Sequence, residues 1–258
     1  MLAEALVAHP RLHPDTVPRM EQVAERVWVV RGGMPRVFNV YLIEDTGGLT
    51  MFDAGVKGMH KQILKAALPY GGIKRIVLGH SHTDHRGAAP AIAGTGVPVF
   101  CHEAELADAE SDGGLHYFHT EILKFPVRQV MNHSLTSSWD GGPVQIEGIA
   151  TEGDEIAGFQ VVHLPGHAPG LIALYRERDG LVLSSDAVYT LNPLTGLRGR
   201  PRIPHDAFNL DTEMAKASAL KLSALGPKTV WPGHADAIDS DTTAVLDHLG
   251  RHGGVLPK

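Results

Sequence analysis

Apolar residues alternate with polar ones, or run unbroken for four to six positions, in short segments spread along this chain, and most runs stop at Gly, Pro or Asp. Residues 27–31, 37–44 and 49–53 read as consecutive strands, the last two joined through Asp45-Thr46-Gly47-Gly48, a hairpin turn. Residues 59–68 follow as a helix. Residues 73–79, Ile-Lys-Arg-Ile-Val-Leu-Gly, read as a short buried strand, and a small-residue helix starts near Arg86. A strand at 97–101 and a helix at 103–110 precede a Gly-punctuated stretch from 111 to about 157 that holds no period and is expected to be irregular. A stretch of that length exceeds an ordinary connection and marks a lid or binding insertion. Strands resume at 159–163, 171–176 and 181–185, and 190–206 reads as a second irregular stretch. Residues 211–225 form an amphipathic helix capped by Asp211 and ended by Gly226-Pro227; 229–233 are a short apolar run, and 242–249 a closing helix.

Two strand-rich halves, each ending in helices, fit an α/β fold: a four-layer αββα sandwich with the chemistry at one edge of the sheets. At 258 residues and 43% hydrophobic, the chain can bury a full core and fits one domain, 1–258. Net charge is −6 with no basic cluster, so no nucleic-acid partner is expected. One Cys excludes a disulfide framework, and Cys101 reads as a small buried hydrophobe. Residues 1–10 lack a basic stretch and carry Glu4 inside their apolar run, unlike a signal peptide, so a cytoplasmic location is expected. No uncharged apolar run is long enough for a membrane span.

The candidate chemistry is concentrated in His80-Ser81-His82-Thr83-Asp84-His85, on the loop between a strand and a helix. His80 and His82, two apart in an extended segment, project to one side and can chelate one ion. As the chain turns into the helix, Asp84 and His85 are redirected towards a second. Two ions need further ligands, and three residues share one local grammar of buried strand, small or Pro/Gly turn, then ligand: His167 in His-Leu-Pro-Gly-His, Asp186 after Leu181-Val182-Leu183-Ser184-Ser185, and His234 after Val230-Trp231-Pro232-Gly233.

The His-x-His-x-Asp-His core, the later Pro-Gly-His, the strand-end Asp and the late Pro-Gly-His occur in the order found in the metallo-β-lactamase-fold hydrolase superfamily, which the chain resembles from about Val37 to His234. The resemblance implies that His80, His82 and His167 bind a first metal, that Asp84, His85 and His234 bind a second, and that Asp186 bridges them. It implies two divalent ions, Zn²⁺ in the first place with Mn²⁺ or Fe²⁺ also compatible, and hydrolysis by a hydroxide held between them. Asp53, in Phe-Asp-Ala-Gly, matches a family strand-end Asp and is expected to orient a ligand His. An Asp at the bridging position sides with the lactonase and glyoxalase II-like branch and not with the β-lactamases themselves.

Asp186-Ala187-Val188-Tyr189 resembles the Asp-x-x-Tyr of acyl-homoserine lactonases, which makes Tyr189, with Asp84 and Asp186, a candidate catalytic group. A lactone is the favoured small-molecule substrate, with a thioester or phosphodiester behind it. A mono-iron persulfide dioxygenase is the non-hydrolytic alternative. The stretch after His234 is too short for the helical domain that holds glutathione in glyoxalase II. Arg198, Arg200 and Arg202 are candidates for holding an anion, and Tyr117, Phe118 and Trp139 for an apolar wall. His116 and His119, three apart, lack an evident third ligand. A homo-oligomer is left open.

Overall fold

Seven strands lie side by side in chain order: β1 (Met20–Ala24), β2 (Val27–Gly32), β3 (Phe38–Asp45), β4 (Gly48–Phe52), β5 (Ile73–Val77), β6 (Val99–Cys101) and β7 (Gly148–Ile149). The first four pair antiparallel and the last three join in parallel, β5 next to β4. A second sheet runs β14-β11-β10-β9-β8, from β8 (Glu155–Ile156), β9 (Phe159–His163), β10 (Ile172–Arg176), β11 (Leu181–Ser185) and β14 (Thr229–Pro232). The computed structural model describes residues 20–33 and 35–256, so segment 1–10, with its signal-peptide reading, lies outside the described residues.

Side chains on a strand alternate between faces, and β3 shows how this builds the layers. Tyr41 and Ile43 join Phe52 and Val77 against Phe159, Ile172 and Leu174 of the second sheet, filling the space between the sheets. Val40 and Leu42 face the other way, onto Ile63 and Ala66 of α1 (His60–Ala67) and, beyond the short α2 (Thr83–Arg86), Ile92 of α3 (Ala89–Ala93). On the outer face of the second sheet, Ala173, Val182 and Val230 pack on Ala219 and Leu222 of α6 (Thr212–Ala224) and Leu246 and Leu249 of α7 (Thr242–His252), after α4 (Leu106–Ala109) and α5 (Val127–His133). The result is the expected αββα order. Asp211 caps α6 through its carboxylate, which accepts from Met214 N at 3.0 Å.

Three expectations need correction. β1 was not foreseen: Met-Glu-Gln-Val-Ala lacks clean alternation because this edge strand is half exposed. Stretch 111–157 is not irregular throughout. Its first part holds short helical turns and α5, followed by a π-turn over Ser134–Ser138, and its end supplies β7 and β8, one edge strand for each sheet. Stretch 190–206 contains a hairpin, β12 (Tyr189–Asn192) with β13 (Leu197–Arg202). Pro193, Gly196, Gly199 and Pro201 disguise it, since they are turn formers and the ribbon has no third strand to demand apolar residues.

Candidate metal centre

All the candidate residues leave their sheets at one edge. Asp53 follows β4, the His80–His85 motif follows β5, His167 follows β9, Asp186 follows β11 and His234 follows β14. The parallel pairings of β4 with β5 and β11 with β14 put these strand ends on the same side. The loops meet closely enough that a Cβ on Gly79 would lie 2.5 Å from Ser185 Oγ and 2.9 Å from Asp53 Oδ1, so that position excludes any larger residue. Ser185 and Asp53 hold φ of 46° and 58°, left-handed values that turn each strand end sharply into the site.

Two ligand groups result. Donor atoms of His80, His82 and His167 lie within 4.8 Å of one another, as do those of Asp84, His85 and His234. Asp186 stands between them: Oδ2 is 3.6 Å from His167 Nε2 and 3.1 Å from His234 Nε2, and Oδ1 is 3.4 Å from His85 Nε2. His234 Nε2 is also 3.3 Å from Asp84 Oδ2. All seven are brought together, six of them buried and Asp84 partly so.

Three of the rings are aimed by a bond to Nδ1, whereas His234 Nδ1 has no partner in the protein. His85 Nδ1 donates to Asp53 Oδ2 at 2.9 Å, and His80 Nδ1 donates to Ser185 Oγ at 3.0 Å, whose own proton goes to the same Asp53 Oδ2 at 2.8 Å. His167 Nδ1 donates to Asn209 Oδ1 at 2.9 Å, and that amide is fixed because its Nδ2 donates to Pro204 O and Thr212 Oγ1. These bonds leave Nε2 of His80, His85 and His167 turned inward. Asp53 therefore holds His85 directly and His80 through Ser185. Ser185 and Asn209 were not foreseen from the sequence, because a hydroxyl and an amide at these places have no spacing that marks them.

Whether a cation fits is decided by what is left unpaired. Buried His80 Nε2, His167 Nε2 and Asp186 Oδ1 have no hydrogen-bond partner in the protein, a cost borne when a site is built for something else. Burial, reinforced by neighbouring imidazoles, holds His80 and His82 well below the ordinary histidine range, and burial also lowers His167, so all three are neutral donors. On the other side burial opposes charge on His85 and His234, but Asp186 and its neighbouring carboxylates outweigh it; His85 is raised well above its usual value and His234 to about 9. Burial likewise works against ionised Asp84 and Asp186, yet the facing imidazoles keep both below the usual carboxylate range. Carboxylates that draw protons onto their neighbours are a negative site that a divalent cation would satisfy. The residues fit metal ions.

The centre forms the floor of a cavity of about 430 Å³ walled by Val37, Phe38, Phe118, Leu135, Trp139 and Phe208. Among the described residues no Lys or Arg lines it. Arg198 instead pairs with Asp236 at 3.1 Å, while Arg200 and Arg202 bond to the carbonyls of Leu256 and Arg200. Phe118 and Trp139 supply the expected wall; Tyr117 does not, and lies behind it against His82. Tyr189 lines the cavity, its ring 5.7 Å from that of His234 and its hydroxyl accepting from His205 N at 3.3 Å. Cys101 is buried and belongs to none of these ligand groups, its thiol pushed up by burial to about 12. His116 has carboxylates within reach after all, exposed Asp112 at 3.4 Å and buried Asp108 at 3.7 Å, but His119 does not join them.

Comparison with known proteins agrees with this geometry. The sequence is 29% identical over 233 residues to the probable metallo-hydrolase YflN of Bacillus subtilis, covering 80% of this chain and 83% of that protein. It is 28% identical over 165 residues to an N-acyl homoserine lactonase of Bacillus cereus, covering 62% of this chain and 54% of the lactonase. A metallo-beta-lactamase family protein of Thermus thermophilus shares the fold with a TM-score of 0.63 at 21% identity, over 90% of this chain and 80% of that one. TTHA1623, solved in a di-iron-bound form, gives 0.59 at 27% identity, over 84% and 96%. The family pattern of the Metallo-beta-lactamase superfamily matches residues 33–234, the span that carries every candidate ligand described above. The chain belongs to the metallo-beta-lactamase superfamily and is a metal-dependent hydrolase of that fold.

Proposed function

We propose that the protein is a dinuclear metallohydrolase of neutral, apolar esters, with lactones carrying an acyl chain as the favoured substrates. The observation that carries this reading is a pair of three-ligand groups, joined by Asp186, on the floor of an apolar cavity that offers no cation to an anionic substrate. His80, His82 and His167 would hold one ion, Asp84, His85 and His234 the other, and Asp186 both. Two such ions supply Lewis acidity and lower the pKa of a coordinated water from about 15.7 towards about 7. Zn²⁺ is the first choice for this donor set, with Fe²⁺ or Mn²⁺ also suited to it.

The protein's part is binding, orientation and proton handling. Phe38, Phe118, Leu135 and Trp139 take the acyl portion and exclude water from it. Asp84, which lines the cavity, would accept a proton from the attacking water and return it to the leaving oxygen. Tyr189 already accepts from His205 N, which leaves its own O–H free to donate to the substrate oxygen on which charge develops. Phosphodiesters and β-lactams carry charges that this wall does not answer, and glutathione thioesters do the same. Likeness to the Bacillus cereus lactonase supports the lactone over other neutral esters.

The test is a panel of acyl-homoserine lactones, γ-lactones, aryl esters, an acyl thioester, a phosphodiester and a β-lactam, run on the wild type and on Tyr189→Phe. Lactones are expected to lead, and the variant to lose up to about 10²-fold in kcat, the usual cost of one preorganised donor, less where metals share the charge. A phosphodiester or β-lactam leading by a wide margin would overturn the substrate class. An unchanged kcat on lactones would remove Tyr189 from the mechanism.

A further inference from the structure

Of the four ring nitrogens that aim ligand histidines from behind, three are Nδ1 atoms held by Ser185, Asp53 and Asn209. His82 is reversed. Its Nε2 is the nitrogen held from outside, 2.7 Å from the hydroxyl of Tyr117, a residue of the 111–157 insertion and not of either sheet. Resting on the metal-centre reading above, we infer that Tyr117 is a positioning residue for the first ion: its hydroxyl accepts a hydrogen bond from Nε2–H of His82 and so fixes the ring with Nδ1 facing the site.

The surroundings are built for this contact. A neutral imidazole that gives the Nδ1 lone pair to a cation must carry its proton on Nε2, so Nε2–H donates and Tyr117 Oη accepts. The ring of His82 is pinned edge-on by Phe118 at 4.6 Å between centroids, and Phe118 is in turn held by Phe208 at 5.6 Å. Gly114, at φ 76°, leaves the space that the phenol occupies; a Cβ there would collide with Tyr117 Oη. Tyr117 does not line the cavity, whereas its neighbour Phe118 does. One turn of the insertion therefore walls the substrate pocket with one side chain and fixes a metal ligand with the next.

Tyr117→Phe isolates the claim, since Phe keeps the ring and removes the oxygen. Zinc affinity is measured by competition with a chromophoric chelator, stepwise, on the wild type and the variant, and long-range ¹⁵N NMR of the zinc-loaded proteins reports which nitrogen of His82 is protonated. Loss of an outer partner of this kind typically weakens metal binding 10- to 100-fold. The expected result is a loss of roughly that size in one of the two steps, the other unchanged, and a His82 Nε2–H signal that is sharp in the wild type and broadened by exchange in the variant. Two wild-type affinities together with an unchanged signal would overturn the inference. So would an equal weakening of both steps accompanied by a lower melting temperature, which is the mark of a purely structural tyrosine. The wild-type titration separately reports on the underlying reading: a protein that takes up no zinc, iron or manganese overturns the metal centre and this inference with it.

Discussion

Asp53 shows how much a single carboxylate can carry. It is fully buried, and its two oxygens take three donors: Gly79 N at 2.7 Å on Oδ1, and Ser185 Oγ and His85 Nδ1 on Oδ2. One residue thus fixes His85 directly, His80 through Ser185, and the backbone that launches the motif. Asp53→Asn keeps the size but turns an NH₂ towards one set of these donors. The variant is expected to fold, by circular dichroism, and to bind at least one zinc ion roughly 10- to 100-fold less tightly; unchanged affinity for both would reduce Asp53 to a packing residue. At this scale the sequence was legible where chemistry is scarce. Three imidazoles and a carboxylate in six residues have no competing explanation, so the motif named itself. Asn209, in Phe-Asn-Leu-Asp ahead of a helix cap, looks like any other turn residue, and only the fold brings it to His167.

Between elements, Glu105 plays a comparable part for the backbone. It lies in the turn between β6 and α4, without exposure, and its carboxylate accepts from Ser81 N and from Gly170 N, each at 2.7 Å. It thereby ties the motif loop to the loop that follows His167. Burial nevertheless raises its pKa from 4.5 to about 7, against the pull of those donors. A raised carboxyl pKa means that the folded state holds a proton the unfolded chain has released. The contribution to stability is complete below about 4.5 and is lost as pH rises through about 7. Urea unfolding of chelator-stripped protein should show the wild type losing up to about 3 kcal/mol relative to Glu105→Gln between pH 4.5 and 8. Parallel profiles would contradict the assignment. The elements themselves were legible in proportion to their burial: β3, β4 and β11 are almost wholly inside and wrote their pattern plainly. β1 and the β12–β13 ribbon, edge pieces with turn residues inside them, did not.

Across the whole molecule, the count and spacing of strands and helices implied four layers, since each sheet has one face to give to the other sheet and one to helices. What periodicity does not contain is where the second half of insertion 111–157 goes. It returns to the sheets as β7 and β8, while its first half, with Phe118 and Trp139, closes over the ligands. Arg86, fully buried next to the motif, bonds to the carbonyls of Asp108, Ala109 and Ser111 and to Asp140, anchoring both ends of that first half to the metal loop. Pocket wall and metal loop are therefore one assembly. The central claim is that this assembly holds two ions, and elemental analysis of the purified protein tests it most directly. The account predicts close to two transition-metal ions per chain in the wild type and about one in His85→Ala and in His234→Ala. A reproducible single ion per chain, undiminished by the loss of either histidine, would contradict it.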